Sequence, residues 1–409
     1  MPQKQANASR EGFIYCMGME ICSESSFMNS NKLLSFQAPV YAAFALAFAS
    51  FGDAFLYPFL PLHGESLGMS PAWIGILLSI NRFARIFANT VIARACANYG
   101  FRLMTIFAVG VAVFSTIGYG LVTGIAGWVL FRISWGLSYS VLRISAISYA
   151  LDHERRGLSL GLSKGVQEAG PMVTLLVAPP LLFPLEPEIT FVVLSIASLP
   201  GFYFAWKLPN KFGEITPFSF RRFAKVPSTF NLLTFCSSIL IEGVVVVTLG
   251  VLFLKYREDI SVMTASILAA SYLGYRRVCL ILFSPFGGWI ADKYGLERIV
   301  IISMAMVLLG LIFLTAGYIE VGAAIGFAFY SILSALTPGA AIKGQSSLDA
   351  VSDNATWRDI GAALGTLTGG LLLESEFITT ALIFGILVMS MLFIKYAGLK
   401  GKAAEILRL

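Results

Sequence analysis

Apolar runs dominate this chain, broken at intervals by short polar stretches. A helix needs about 20 apolar residues to cross the hydrocarbon core of a bilayer. Runs of that length lie near residues 38–61, 71–93, 103–122, 125–150, 157–182 and 188–206. After a polar interval, six more lie near 229–254, 262–290, 298–317, 320–342, 355–374 and 377–396. The pattern predicts an all-α polytopic membrane protein with about twelve transmembrane helices in two pseudo-symmetric six-helix bundles. The bundles occupy 37–207 and 229–397, with a central loop over 208–228 and tails over 1–36 and 398–409. The first tail is polar and lacks the basic-then-apolar profile of an export signal, and Met28 offers an alternative start.

Composition supports the same class. Hydrophobic residues make up 57% of the chain and charged residues 13%, with mean hydropathy +0.79. A soluble domain averages about 45–50% apolar and about 25% charged residues, so lipid is the solvent for most of this chain. The net charge of +6 does not point to nucleic acid, because the basic residues fall in short loops between apolar runs. Arg94, Arg102, Arg155, Arg156, Lys293 and Arg298 share one side with the 207–225 stretch and with Lys400, Lys402 and Arg408. The other side holds mainly acids: Glu65, Glu186, Glu188, Glu320, Glu374 and Glu376, with Lys255 in "KYREDI" as the exception. The positive-inside rule then makes both termini cytoplasmic in a multi-pass protein of the plasma membrane, the inner membrane in a bacterium. Five cysteines without metal-ligand spacing and only two histidines predict neither metal nor cofactor.

The halves of the chain resemble each other. Arg82 precedes Gly100 by 18 residues and Arg277 precedes Gly295 by 18, each time running from mid-helix to the loop after the second span. The fifth span carries Gly157, Gly161 and Gly165, and the eleventh carries Gly361, Gly365 and Gly369. Small residues at every fourth position let membrane helices approach closely.

Several motifs carry a family resemblance. In "GGWIADKYGLER", Gly288, Asp292, Lys293 and Gly295 follow the order Gly, three residues, Asp, Arg or Lys, one residue, Gly. In "FRISWG", Arg132 and Gly136 match Arg-x-x-Gln-Gly except that Trp135 replaces Gln, and "GVQEAGP" ends in Gly170 and Pro171. These features resemble the major facilitator superfamily over residues 38 to 397, which implies its fold, alternating access and a monomer. The resemblance implies that Asp292 latches the cytoplasmic gate and that Arg132 is linked to proton coupling. Asp292 is expected to meet the start of the fifth span or Arg155 and Arg156, since a carboxylate caps a positive helix end or pairs with Arg. The equivalent loop of the first half, "ARACANYGFR", departs from the pattern: Ala93, Ala97 and Asn98 stand where Gly, Asp and Arg are usual.

Charge inside the spans is the feature that narrows function. Nine basic residues (Arg82, Arg85, Arg132, Arg143, Lys164, Arg276, Arg277, Lys343, Arg358) accompany four acids (Asp53, Glu168, Glu242, Asp359). Each costs roughly 2.5–3.5 kcal/mol to insert at mid-helix, so they must face one another or a wet cavity. Arg143, Lys164, Lys343 and Arg358 read first as structural pairs or snorkels, and Arg358 with Asp359 as part of the gate. Arg82, Arg85, Arg276 and Arg277 sit about halfway along their helices and predict an electropositive midplane site. Guanidinium groups bind carboxylate and phosphate bidentately and stay charged. Asp53, then Glu242, then Glu168 are the expected proton carriers, since burial and neighbouring charge tune a carboxylate's protonation.

The expected function is secondary active transport of a small organic anion, proton-coupled, with lipid, substrate and protons as the partners. Carboxylates, carboxylate siderophores and phosphorylated metabolites fit. The alternative is a proton-antiport drug or metabolite exporter, whose cavity is typically apolar with one or two acids. A membrane enzyme or a receptor is the third class. The sequence has no nucleophile–base constellation, and its loops are too short for a catalytic domain.

Overall fold

A computed structural model describes residues 37–63, 69, 71–122, 124–182, 185–213, 227–257, 260–342, 347–372 and 377–406. The 1–36 tail, Lys343, Glu65, Glu374, Glu376 and Arg408 lie outside the described residues. In order, the helices of the first half are α1 (Gln37–Ala49), α2 (Phe51–His63), α3 (Pro71–Tyr99), α4 (Phe101–Leu121), α5 (Ile125–Leu151), α6 (Arg156–Leu182), α7 (Pro187–Ser198) and α8 (Pro200–Trp206). Those of the second half are α9 (Thr229–Ser237), a π-helical segment (Ser238–Val245), α10 (Val246–Tyr256), α11 (Val262–Tyr294), α12 (Leu296–Thr315), α13 (Ile319–Ala340), α14 (Ser347–Leu372) and α15 (Ile378–Ile406).

Local chemistry explains the boundaries. Ser228 and Ser261 cap α9 and α11 by accepting the backbone N–H of Asn231 and Thr264, which satisfies donors a helix start leaves free. Pro187 and Pro200 open α7 and α8, where a missing N–H costs nothing. Between α1 and α2 the chain bends by 47° at Ser50, whose hydroxyl donates to Leu46 O at 2.7 Å, a bond that commonly bends helices. Gly100 joins α3 to α4 at φ 88° and Gly295 joins α11 to α12 at φ 96°, a backbone region open to glycine. Gly124 and Gly317 take similar values at the far ends of α4 and α12. The tight turns therefore recur at matching places in the two halves.

Among the described residues, eight helices or helix runs are long and apolar enough to cross a membrane, and α1 with α2 forms a ninth, bent, candidate. Helices α6, α11 and α14 are long enough, at 27, 33 and 26 residues, but do not meet the same test. They carry Lys164 and Glu168, Arg276 and Arg277, and Arg358 and Asp359. Their polarity has a structural use, because all three sit where the halves of the chain meet.

The apolar core is divided. The buried residues of one cluster run from Phe230 to Tyr396 and those of two others from Ala38 to Leu208, while a smaller fourth cluster joins Ile147, Leu151 and Leu160 to Val351 across the halves. Two helix pairs join the halves most extensively, α6 with α11 and α3 with α14. The α6–α11 contact is made by glycines: a Cβ on Gly157 would stand 2.4 Å from Gly288 O, and one on Gly161 would stand 2.1 Å from Ser284 O. The α14 glycines have a different use. Gly361 and Gly365 press on Phe235 O and Ile239 O, within the second half. Stripes at equivalent sequence positions thus join the halves in one case and pack a single half in the other.

Residues 208–213 cross the end of the first half where its basic loops gather. Lys211 Nζ bonds Ser148 O at 2.8 Å and Asp152 at 2.6 Å, over the rings of Phe101 and Tyr149. Burial lowers the Lys211 ammonium from its ordinary pKa, opposed by Asp152. Gly213 N donates to Ala97 O at 3.4 Å, and Gly213 also lies against Leu348 of α14. The strap therefore lies against the position where the sequence lacks a latch carboxylate. We call this the basic end.

Candidate functional site

The charged residues of the spans assemble into four groups, each centred on one carboxylate. Asp53, just after the α1–α2 bend, pairs with Arg132 of α5. Arg132 is fully buried, and its Nε donates to Leu77 O at 2.7 Å while Nη2 donates to Leu78 O at 3.3 Å. One turn along α5, a Cβ on Gly136 would stand 2.6 Å from Asn81 O. The Arg and Gly of "FRISWG" thus both serve the α3–α5 contact, the Gly by allowing approach and the Arg by stapling α3 to Asp53.

Asp359 of α14 is held entirely from the first half. Arg85 Nη2 lies 3.3 Å and Arg143 Nη1 3.1 Å from Asp359 Oδ1, and Asn89 Nδ2 donates to Oδ2 at 3.1 Å. Asn89 is itself oriented by the Ser140 hydroxyl at 2.9 Å, and the Arg85 guanidinium stacks over Tyr139 at 4.6 Å. Glu168 of α6 accepts from Lys164 of its own helix at 2.6 Å and pairs with Arg277 of α11. Glu242 lies in the π-helical segment, 2.5 Å from Arg358 Nη2 and 3.8 Å from Arg276 Nη2. π-bulges favour functional positions.

Arg82 differs from the rest. Its Nη1 donates to Thr366 Oγ1 at 3.1 Å and to Ala362 O at 3.5 Å, across to α14. At the basic end Asp292 accepts from Gly157 N at 2.7 Å and from Leu158 N at 2.9 Å. Of its two expected partners it meets the helix start, while the side chains of Arg155 and Arg156 are exposed. Lys293 turns to the ring of Tyr294, 5.3 Å away. Gly288 gives Asp292 this reach: a Cβ there would stand 2.1 Å from Gly157 O. Gly295 ends the helix that presents them.

The sequence leads one to expect Arg82, Arg85, Arg276 and Arg277 around an electropositive midplane site. A small cavity of about 20 Å³, room for about one water, lies between α5, α6, α13 and α14, and those four arginines are not in its wall. Arg143, Lys164 and Arg358 are, with Ser163, Gln167 and Ser334. Arg85, Arg276 and Arg277 each face a carboxylate, which supplies the counter-charge a buried cation needs. Arg358, expected together with Asp359 as part of the gate, lines this cavity and pairs with Glu242. Asn89, Ser163 and Gln167 join these groups without a charge to mark them in the sequence. Each lies on a helix row that was already polar: Asn89 one turn beyond Arg85, and the Ser163–Gln167 pair beside Lys164–Glu168.

Counted over the described residues, Arg82, Arg85, Arg132, Arg143, Lys164, Arg276, Arg277 and Arg358 stand against Asp53, Glu168, Glu242 and Asp359. Only Asp53 has a single cation; each of the other three acids is shared by two.

No family model matches the sequence, and no curated protein does. Solved structures share its fold. The human organic anion transporter MFSD10 (TETRAN) superposes with a TM-score of 0.69 at 14% identity, covering 88% of this chain and 99% of that one. A bacterial homologue of the iron transporter ferroportin, in an outward-facing state, superposes at 0.66 with 10% identity over 88% and 99% of the two chains. Both neighbours are transporters of the major facilitator superfamily.

Proposed function

From a fold shared with transporters of the major facilitator superfamily, we propose that this protein is a secondary transporter of a small organic anion. The single observation behind the sign of the cargo is the shared-carboxylate network. Three intramembrane acids are each outnumbered two to one by cations, leaving positive charge for a substrate to neutralise. The human neighbour carries organic anions, and the iron-transporter homologue argues less well here because the cavity wall is cationic. A drug exporter that attracts cations fits the same wall poorly.

In this reading the chain crosses the membrane about twelve times in two six-helix halves and works as a monomer in a plasma membrane, the inner one in a bacterium. The basic end is cytoplasmic, with both termini on that side. Asp292 on the α6 start is the latch there, backed by Gly157–Gly288 and by the Arg85–Asp359–Arg143 group. Arg82 has neutral partners and is the substrate contact among the four mid-helix arginines; Arg85, Arg276 and Arg277 hold the acids. Asp53 carries the coupling proton, since a proton arriving there has one cation to displace rather than two. Its side chain is also the most exposed of the four acids, 17% against 5% for Asp359.

Proteoliposome uptake tests this. A labelled organic anion should accumulate under a pH gradient, and excess unlabelled anions, not cationic dyes, should compete. Displacement by the dyes alone would sink the anion reading. Asp53→Asn, compared at matched amounts of folded protein because it also strands the buried Arg132, should abolish accumulation along the pH gradient while sparing counterflow exchange. Undiminished accumulation in that variant would remove Asp53 from the coupling.

A further inference from the structure

The cavity between α5, α6, α13 and α14 is unusual in what surrounds it. Three of its wall residues are cations, Arg143, Lys164 and Arg358, and none is an acid. Each cation is tied from elsewhere to a carboxylate: Arg143 to Asp359, Lys164 to Glu168 and Arg358 to Glu242. Each of those carboxylates is already claimed by another arginine, Arg85, Arg277 and Arg276 respectively. The three wall cations are therefore held in place but only half neutralised, and the three groups together carry a formal charge of +3, from six cations and three acids.

Neutral polar groups complete the wall. Gln167 donates to Ser163 Oγ at 3.0 Å, and Ser334 stands on α13 opposite.

The geometry points to a polyvalent oxyanion subsite here, for a ligand with two or three negative charges such as a di- or tricarboxylate or a phosphate ester. A monoanion would leave two of the three half-neutralised cations uncompensated in a low-dielectric wall. Guanidinium groups on α5 and α14 offer the planar forks that carboxylate and phosphate both match. The wall belongs to both halves: Arg143 and Lys164 come from the first, Arg358 and Ser334 from the second. A ligand with two or more anionic groups spans them, so the cavity must widen as the halves part and close around the anion as they meet. This deepens the transport reading above and rests on it.

The test uses the purified full chain in nanodiscs, with binding measured by calorimetry at constant ionic strength. The probes are lactate, succinate and tricarballylate, with inorganic phosphate and pyrophosphate as a second series. Affinity should climb about tenfold for each added charge. Lys164→Gln, Arg143→Gln and Arg358→Gln should each weaken tricarballylate about tenfold or more and leave lactate little changed. Arg143→Lys and Arg358→Lys, which keep the charge, should lose less and serve as folded references; Arg102→Gln, at the basic end over the Trp206 ring and outside the cavity wall, should leave anion binding unchanged. Equal affinity across the charge series, or Gln variants with the series intact, would overturn the subsite while leaving anion transport standing. If no anion of any charge binds or crosses a bilayer, the transport reading itself falls. The charge series on the unaltered protein decides the matter even if a variant fails to fold.

Discussion

Asp53 and Arg132 show how a single residue's meaning depends on its partner. Arg132 has no solvent exposure and two further bonds to α3 carbonyls, so removing its counter-charge leaves a cation stranded. Breaking a buried pair from one side costs about 3–5 kcal/mol, whereas replacing both partners is often near neutral. Arg132→Met should therefore lower the melting temperature sharply by stranding Asp53, and Asp53→Asn combined with Arg132→Met should recover much of it. A double variant no more stable than the worse single one would mean that the two side chains do not act as a pair. The sequence made both residues visible as charges inside apolar runs, and the motif around Gly136 singled out the Arg. It did not reveal that they belong together, because Asp53 and Arg132 are 79 residues apart and no local periodicity links α2 to α5. The same limit explains Arg358. Its neighbour in sequence is Asp359, but adjacent helix positions point in different directions, and Arg358 turns to Glu242 while Asp359 turns to Arg85 and Arg143.

At the scale of the helix, glycine spacing was legible and its use was not. Every fourth residue along one face marks a close approach in any membrane bundle, and both α6 and α14 make one. Which helix each approaches depends on tertiary arrangement: α6 lies on α11 across the halves, and α14 lies on the π-helical segment of its own half. A Cβ at Gly161 would come within 2.1 Å of the Ser284 carbonyl and 2.9 Å of Pro285, backbone atoms that cannot move aside as a flexible side chain could. Gly161→Ala should therefore pry α6 from α11. Overpacking typically costs about 1–3 kcal/mol, so the variant should melt several degrees lower and transport poorly. Gly370→Ala, on the same kind of helix with nothing within 4 Å of the added carbon, is the matched control. If both variants behave alike, the α6–α11 contact is not the tight interface described above.

For the whole molecule, the division of the core matters most. The three larger apolar clusters form within one half or the other, and besides one small apolar cluster around Leu160 and Val351 the contacts joining the halves include many that are polar or backbone-based: Asp292 on α6, Asp359 among α3 and α5 residues, and Glu168 with Arg277. Greasy cores resist shear because repacking them loses contacts at every step, while a handful of hydrogen bonds and ion pairs can be exchanged one for another. In the transport reading proposed above the halves part along this line, and Asp292 is the most exposed of those ties at the basic end. Its two bonds cap the start of α6, where carboxylates are favoured by the helix dipole as well. Losing a cap costs about 1 kcal/mol, enough to shift a balanced two-state equilibrium about fivefold. Asp292→Ala should thus expose the cavity between α5, α6, α13 and α14 to the basic side without unfolding either half. A cysteine introduced as Ser163→Cys reports this directly, because Ser163 lines that cavity and is buried in the closed arrangement. Its modification by a membrane-impermeant maleimide applied from the basic side should rise severalfold when Asp292→Ala is added, and saturating organic anion should slow it again by filling the cavity. An unchanged labelling rate would mean that Asp292 only caps α6, and that the halves are held together by the ion pairs deeper in the bundle.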